Sequence, residues 1–159
     1  MQHYLRYIIV IATCLSIGYL SGIVTQESVT TWYVLLKKPF FNPPNWVFMP
    51  VWTLLYILMG VAAAMVWNNE NETNYKQVRK ALLFFIIQLG LNALWSYLFF
   101  GFKNPLLALI EIILLWLLIY ETYLQFKKIN SLASKLFLPY LAWVSFATIL
   151  NASIWWLNK

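Results

Sequence analysis

Apolar residues in this chain come in long unbroken runs, with polar positions confined to short intervals between them. Five stretches reach the roughly 20 residues that a helix needs to cross a hydrocarbon core. They cover about 5–24, 47–67, 81–100, 106–126 and 136–156. At about 1.5 Å per residue each is about 30 Å long. Strands of a membrane barrel would be about 10 residues with alternating polarity. These runs are twice as long and do not alternate, so the pattern predicts an all-α integral membrane protein, a single domain over 1–159 with a bundle of five transmembrane helices.

The first run could also be read as a signal peptide, because IATC at 11–14 resembles a lipoprotein cleavage site. The apolar stretch continues past Cys14 to Val24, which favours a membrane anchor. Of the connections, only 25–46 is long and aromatic. It contains WYVLLKKPFFNPPNW, with Pro39, Pro43 and Pro44 stiffening the backbone and five rings giving it apolar weight. It is expected to form a semi-rigid lid. Lys37 and Lys38 on it suit either lipid headgroups or the carboxylates of a ligand at the rim.

Composition supports a lipid-facing exterior. The chain is 62% hydrophobic and 10% charged, against about 45–50% and about 25% in soluble domains. Its net charge of +6 comes from cations at the ends of apolar runs, a pattern for topology and anionic lipid rather than for nucleic acid. Arg6, Lys76, Arg79, Lys80, Lys127, Lys128 and Lys135 lie on the N-terminal side, and Lys37, Lys38, Lys103 and Lys159 on the other. That bias of seven to four puts the N-terminus inside and the C-terminus outside. One cysteine and one histidine, Cys14 and His3, are too few for a protein metal site of several ligands.

Inside the runs, polar and aromatic positions form stripes. Gln88, Asn92, Trp95 and Phe99 share one helix face, as do Tyr140, Trp143, Ala147 and Asn151, and Trp52, Tyr56 and Gly60. Counting about 1.5 Å per residue, Trp52 and Trp95 lie about 7 Å below the face that carries the 25–46 loop, and Tyr56, Asn92 and Ala147 about 12–14 Å. Such stripes serve either helix packing or a ring-lined pocket. Glu111 and Glu121 on the fourth run are expected to snorkel towards headgroups. Gly18 and Gly22 make a small-xxx-small pair for packing inside the bundle or between copies. No paired carboxylates at one level, Ser/His/Asp set or phosphate-binding glycine loop is present, so conventional catalysis has thin support.

Trp32-Tyr33, Lys38-Pro39, Pro43-Pro44, the run Trp46, Pro50, Trp52, Tyr56, Gly60 and Trp67, then Gln88, Asn92, Trp95-Ser96, Trp116, Pro139-Tyr140, Trp143, Phe146-Ala147 and Leu150-Asn151 occur in one order. That ordered set resembles the tryptophan-rich sensory proteins, the bacterial branch of the translocator protein (peripheral-type benzodiazepine receptor) family. The resemblance implies a five-helix bundle in a bacterial cell membrane, often a homodimer. Its ligands would be tetrapyrroles such as protoporphyrin and haem, or other hydrophobic small molecules, with no cofactor required. It implies a pocket under the loop lined by Tyr33, Pro43, Trp52, Tyr56, Asn92, Trp95, Phe99, Trp143, Ala147 and Leu150. The implied role is a receptor or sensor that regulates porphyrin levels. The alternatives are light-dependent porphyrin breakdown, with Trp52 and Trp143 as the oxidisable rings, and transport of porphyrin or sterol. The resemblance departs at Ala152, where animal members carry the tyrosine of a sterol-recognition pattern. It departs again on the third helix, which offers Gly90 and Ala93 but no small-xxx-small pair for a dimer.

Overall fold

The computed structural model describes all residues, 1–159. It is a helical bundle with no strands. The elements are α1 (Gln2–Thr31), a short 3₁₀ turn (Tyr33–Leu35), α2 (Asn45–Asn68), α3 (Tyr75–Ser96) continuing as a π turn (Tyr97–Gly101), α4 (Pro105–Ile129), α5 (Ser131–Lys135) and α6 (Leu138–Leu157). Five helical stretches are long and apolar enough to span a membrane: α1, α2, α3 with its π turn, α4, and α5 together with α6.

Two boundaries differ from the hydropathy reading. α1 runs to Thr31 rather than to about 24, so the connection expected at 25–46 is confined to 32–44. The polar tail of α1 stays helical because its hydroxyls bond along their own helix. Thr25 Oγ1 donates to Ser21 O, and Thr31 Oγ1 to Glu27 O. Ser28 Oγ instead crosses to Phe100 O at 2.9 Å, satisfying a carbonyl at the end of α3 that has no helical partner. The basic interval 127–135 is likewise not an open loop. Asn130 Oδ1 accepts from Ala133 N and starts the single turn of α5.

Local chemistry sets the other ends. Asn104 caps α4 by accepting from Leu107 N, with Pro105 at the first helical position and Lys127 and Lys128 in the last turn. α1 and α2 pack closely on the side away from the 32–44 loop. A Cβ on Gly60 would fall 2.7 Å from Ile11 Cα, so only glycine admits that backbone approach. Arg6 Nη1 donates to Trp67 O at 2.8 Å with its guanidinium 4.8 Å from the Trp67 ring. The main core lies between α2, α3, α4 and α6 around Met59, Phe85, Phe126, Phe137 and Tyr140. A smaller cluster under the loop joins Tyr33, Phe99, Phe100, Ala108, Leu150 and Ile154.

Candidate functional site

The candidate site is built on three hydrogen-bonded ties. Tyr56 OH donates to Asn92 Oδ1 at 2.5 Å, Asn92 Nδ2 to Tyr140 OH at 2.7 Å, and Tyr140 OH to Gln88 Oε1 at 2.8 Å. This chain joins α2, α3 and α6 at mid-membrane, where unpaired polar groups are expensive. One level nearer the loop, Trp95 Nε1 donates to Asn151 Oδ1 at 3.0 Å, and Asn151 Nδ2 to Pro105 O at 2.8 Å. The loop itself is tied to the chain end. Lys37 N donates to Asn158 Oδ1, and Asn158 Nδ2 returns a bond to Lys37 O.

Between these ties lies a cavity of about 460 Å³, within the range of small-molecule sites. Tyr33, Trp52, Tyr56, Trp95, Phe99, Trp143, Ala147 and Leu150 all line it. Trp95 stacks on Phe99 at 5.2 Å between ring centres, and Trp52 lies 5.8 Å from Tyr56. Phe48, also in the wall, meets Trp143 edge-on at 6.2 Å. The Trp143 indole N–H is buried and has no hydrogen-bond partner.

Two expected lining residues stand outside the wall. Asn92 is held between Tyr56 and Tyr140 beneath the cavity floor, so its amide is already spent. Pro43 lies in the cap, where its carbonyl accepts from Asn42 Nδ2. Lys38 turns its ammonium back onto the loop. Its Nζ donates to Leu36 O and lies 4.8 Å from the Tyr33 ring. The Tyr33 hydroxyl donates to Asn42 Oδ1 at 2.7 Å. Burial pushes its pKa up to about 12.

A whole wall of the cavity went unread in the sequence. α1 contributes residues from Leu15 to Thr30, including Gly18, Ser21, Gly22, Thr25 and Val29. Gly18, Ser21, Thr25 and Ser28 recur at helical spacing, and that stripe of small polar residues was the available signal. α1 and α2 touch closely at Gly18, where a Cβ would meet the Tyr56 ring at 2.6 Å. The hydrogen bonds between the two helices lie at the opposite end, from His3 to Asn68 and from Arg6 to Trp67. Tyr19, Ile23 and Met49 line the cavity and are also exposed on the outside of the bundle. The cavity therefore opens sideways, between α1 and α2, into the half of the bilayer that lies under the loop.

The family model described as the TspO/MBR family matches residues 10–157. The chain belongs to the TspO/MBR family. It is 44% identical over 156 residues to the tryptophan-rich protein TspO of Archaeoglobus fulgidus, covering 97% of each chain. It is 44% identical over 148 residues to the protein of the same name from Chlorobaculum tepidum, covering 93% of this chain and 92% of that one. The translocator protein of Homo sapiens is 37% identical over 124 residues, 78% of this chain and 73% of the human one. As a TspO/MBR member the chain is an integral membrane protein, and the family match includes the α1 wall from residue 10 onward.

Proposed function

We propose that this TspO/MBR chain is a membrane receptor that holds a flat, carbon-rich ligand of the tetrapyrrole class in the cavity under the 32–44 cap, and so regulates the level of that ligand. The observation that carries this reading is the wall itself. Indole, phenol and phenyl rings from α2, α3 and α6 surround the space, and one indole N–H, that of Trp143, lacks a partner. A macrocycle stacks on such rings, and a ring nitrogen or carboxylate on it would accept from Trp143. The cavity wall holds no histidine or cysteine. His3 pairs with Asn68 at the far end of α1, and Cys14 lies in the main core. Metal-free porphyrin, or haem held without protein ligation of its iron, therefore suits the wall best.

The ligand reaches the site from the bilayer through the α1–α2 seam, because the cap is tied to Asn158 while the seam is open. The N-terminus lies inside, in a bacterial-type cell membrane, by the distribution of Lys and Arg. The chain forms a homodimer, as the family resemblance implies. Trp52 and Trp143 both lie in the wall, which supports a second reading, photo-oxidative breakdown of bound porphyrin. Dark titration of the purified protein with protoporphyrin IX, haem and a sterol, read by tryptophan quenching, tests the receptor reading. Saturable binding of the tetrapyrroles supports it, and quenching that never saturates contradicts it. Illumination with product analysis separates receptor from enzyme.

A further inference from the structure

Glu111 was expected to reach a headgroup, and it does not. It is 7% exposed, on the face of α4 buried in the bundle, and neither carboxyl oxygen has a hydrogen-bond partner. It lies six residues, about 9 Å, along α4 from Pro105. Two ties between α4 and α6 bracket it: Asn151 Nδ2 to Pro105 O on one side, and Trp116 Nε1 to Ser145 Oγ on the other. Between Ser145 and Asn151, α6 turns Ala147 and Leu150 toward the cavity. Glu111 thus stands behind the α6 wall of the site.

No counter-charge is available there. All eleven cations sit at helix ends or in connections, and the one ion pair is Arg79 with Glu70. Of the elements packed on α4, α3 offers Gln88, Asn92 and Ser96 as buried polar groups, α5 offers Ser134, and α6 offers Tyr140 and Asn151. The π turn adds only Tyr97 at its exposed surface, and α5 carries Lys135 at its exposed end. Within α4 itself, Glu121 is engaged by Gln125, and Tyr120 and Tyr123 lie toward its other end. Tyr140 is the one buried titratable group on these neighbours, and it is neutral over the physiological range. A carboxylate buried without a partner is too costly to persist, so the side chain carries its proton. Glutamine would fill the same space without an ionisable proton. An ionisable group kept in the membrane at such a cost marks a functional position.

We infer that Glu111 is a proton-binding site coupled to the cavity. The bundle closes around the protonated carboxyl. When the O–H bond breaks, its electron pair stays on the carboxylate, the proton passes to water, and the charge draws water into the α4–α6 seam. The α6 wall then loosens and the ligand is released. The coupling rests on the ligand reading given above; the proton site does not.

Two measurements on the full-length protein in nanodiscs test this. Infrared spectra without ligand should show a protonated-carboxyl carbonyl band at neutral pH that Glu111→Gln removes. Dark titrations with protoporphyrin IX follow from about pH 6 to about pH 9, where solvated carboxylates do not titrate. Wild-type affinity should fall with rising pH, by up to about tenfold per unit for one linked proton. Glu111→Gln should keep the tight acidic-side affinity at every pH, and Glu111→Asp should retain a pH dependence. Absence of the infrared band overturns the proton site. Identical pH profiles for wild type and Glu111→Gln overturn the coupling. If protoporphyrin binds to neither protein, the ligand reading fails and the coupling with it, while the infrared band still decides the proton site.

Discussion

Gly18 of α1 lies flat against the ring of Tyr56 on α2, so close that a Cβ would sit 2.6 Å from two ring carbons. This contact closes the cavity on the side away from the cap. One turn further, Gly22 has no atom within 4 Å of its missing Cβ, and there the two helices have parted. The same glycine pair therefore marks both the base of the cavity and the beginning of its side opening.

Gly18→Ala should wedge α1 from α2 and lower stability by about 1–3 kcal/mol, the usual cost of overpacking. Gly22→Ala should be neutral or gain up to about 1 kcal/mol, since alanine is the better helix former. Thermal unfolding of both variants in one detergent checks the contrast. Equal losses would mean that the seam is packed along its whole length.

Asn92→Leu should act through the fold rather than through ligand contact. It removes the bonds to Tyr56 and Tyr140 together, at about 0.6–1.7 kcal/mol each in a membrane interior. Trp143→Phe should do the reverse. Its N–H has no partner to lose, so any loss of stability is limited to the indole's packing on Phe48 and Phe146, while affinity for a ligand with an acceptor falls about tenfold for one hydrogen bond. Unfolding and binding measured on both variants separate the floor from the wall.

How far these roles could be read in advance depended on what each signal measures. Run length is set by bilayer thickness, so five spans were plain from the apolar pattern. Hydropathy cannot see that hydroxyls at Thr25, Ser28 and Thr31 bond to carbonyls, and so it ended α1 early. Stripe spacing put Trp52, Tyr56, Trp95, Phe99, Trp143 and Ala147 on inward faces, and all six line one cavity. It could not tell that Asn92 would spend its amide on two tyrosines, because pairing depends on the register between helices. Glu111 was misplaced for the same reason. Helical position gives its depth, and only packing gives its direction.

The tie between the cap and the chain end predicts where a ligand gets in. In a Cys14→Ser background, a bifunctional reagent bridging Ile23→Cys to Met49→Cys should block uptake of protoporphyrin IX. Bridging Lys37→Cys to Asn158→Cys should leave uptake intact, because those positions are already joined. The reverse pattern would make the cap the gate.

Tyr33 gives the cap an alkaline limit. Its phenol ionises near 12 in the folded chain, against about 10 when solvated. Between those values the folded state keeps a proton that the unfolded state has lost, so stability falls as pH rises through that window. Tyr33→Phe has no such proton and should lose less stability over the same range, as followed by unfolding at a series of alkaline pH values. Parallel curves would contradict the buried, neutral phenol.

The central claim is that the space under the cap receives the ligand, and filling that space tests it most directly. Ala147 lines the cavity and carries the smallest side chain of the α6 wall. Dark titration of wild type and Ala147→Phe with protoporphyrin IX, with helix content and unfolding temperature matched, should show saturable tryptophan quenching in the first and its loss in the second. Undiminished affinity in a folded Ala147→Phe protein would place the ligand elsewhere.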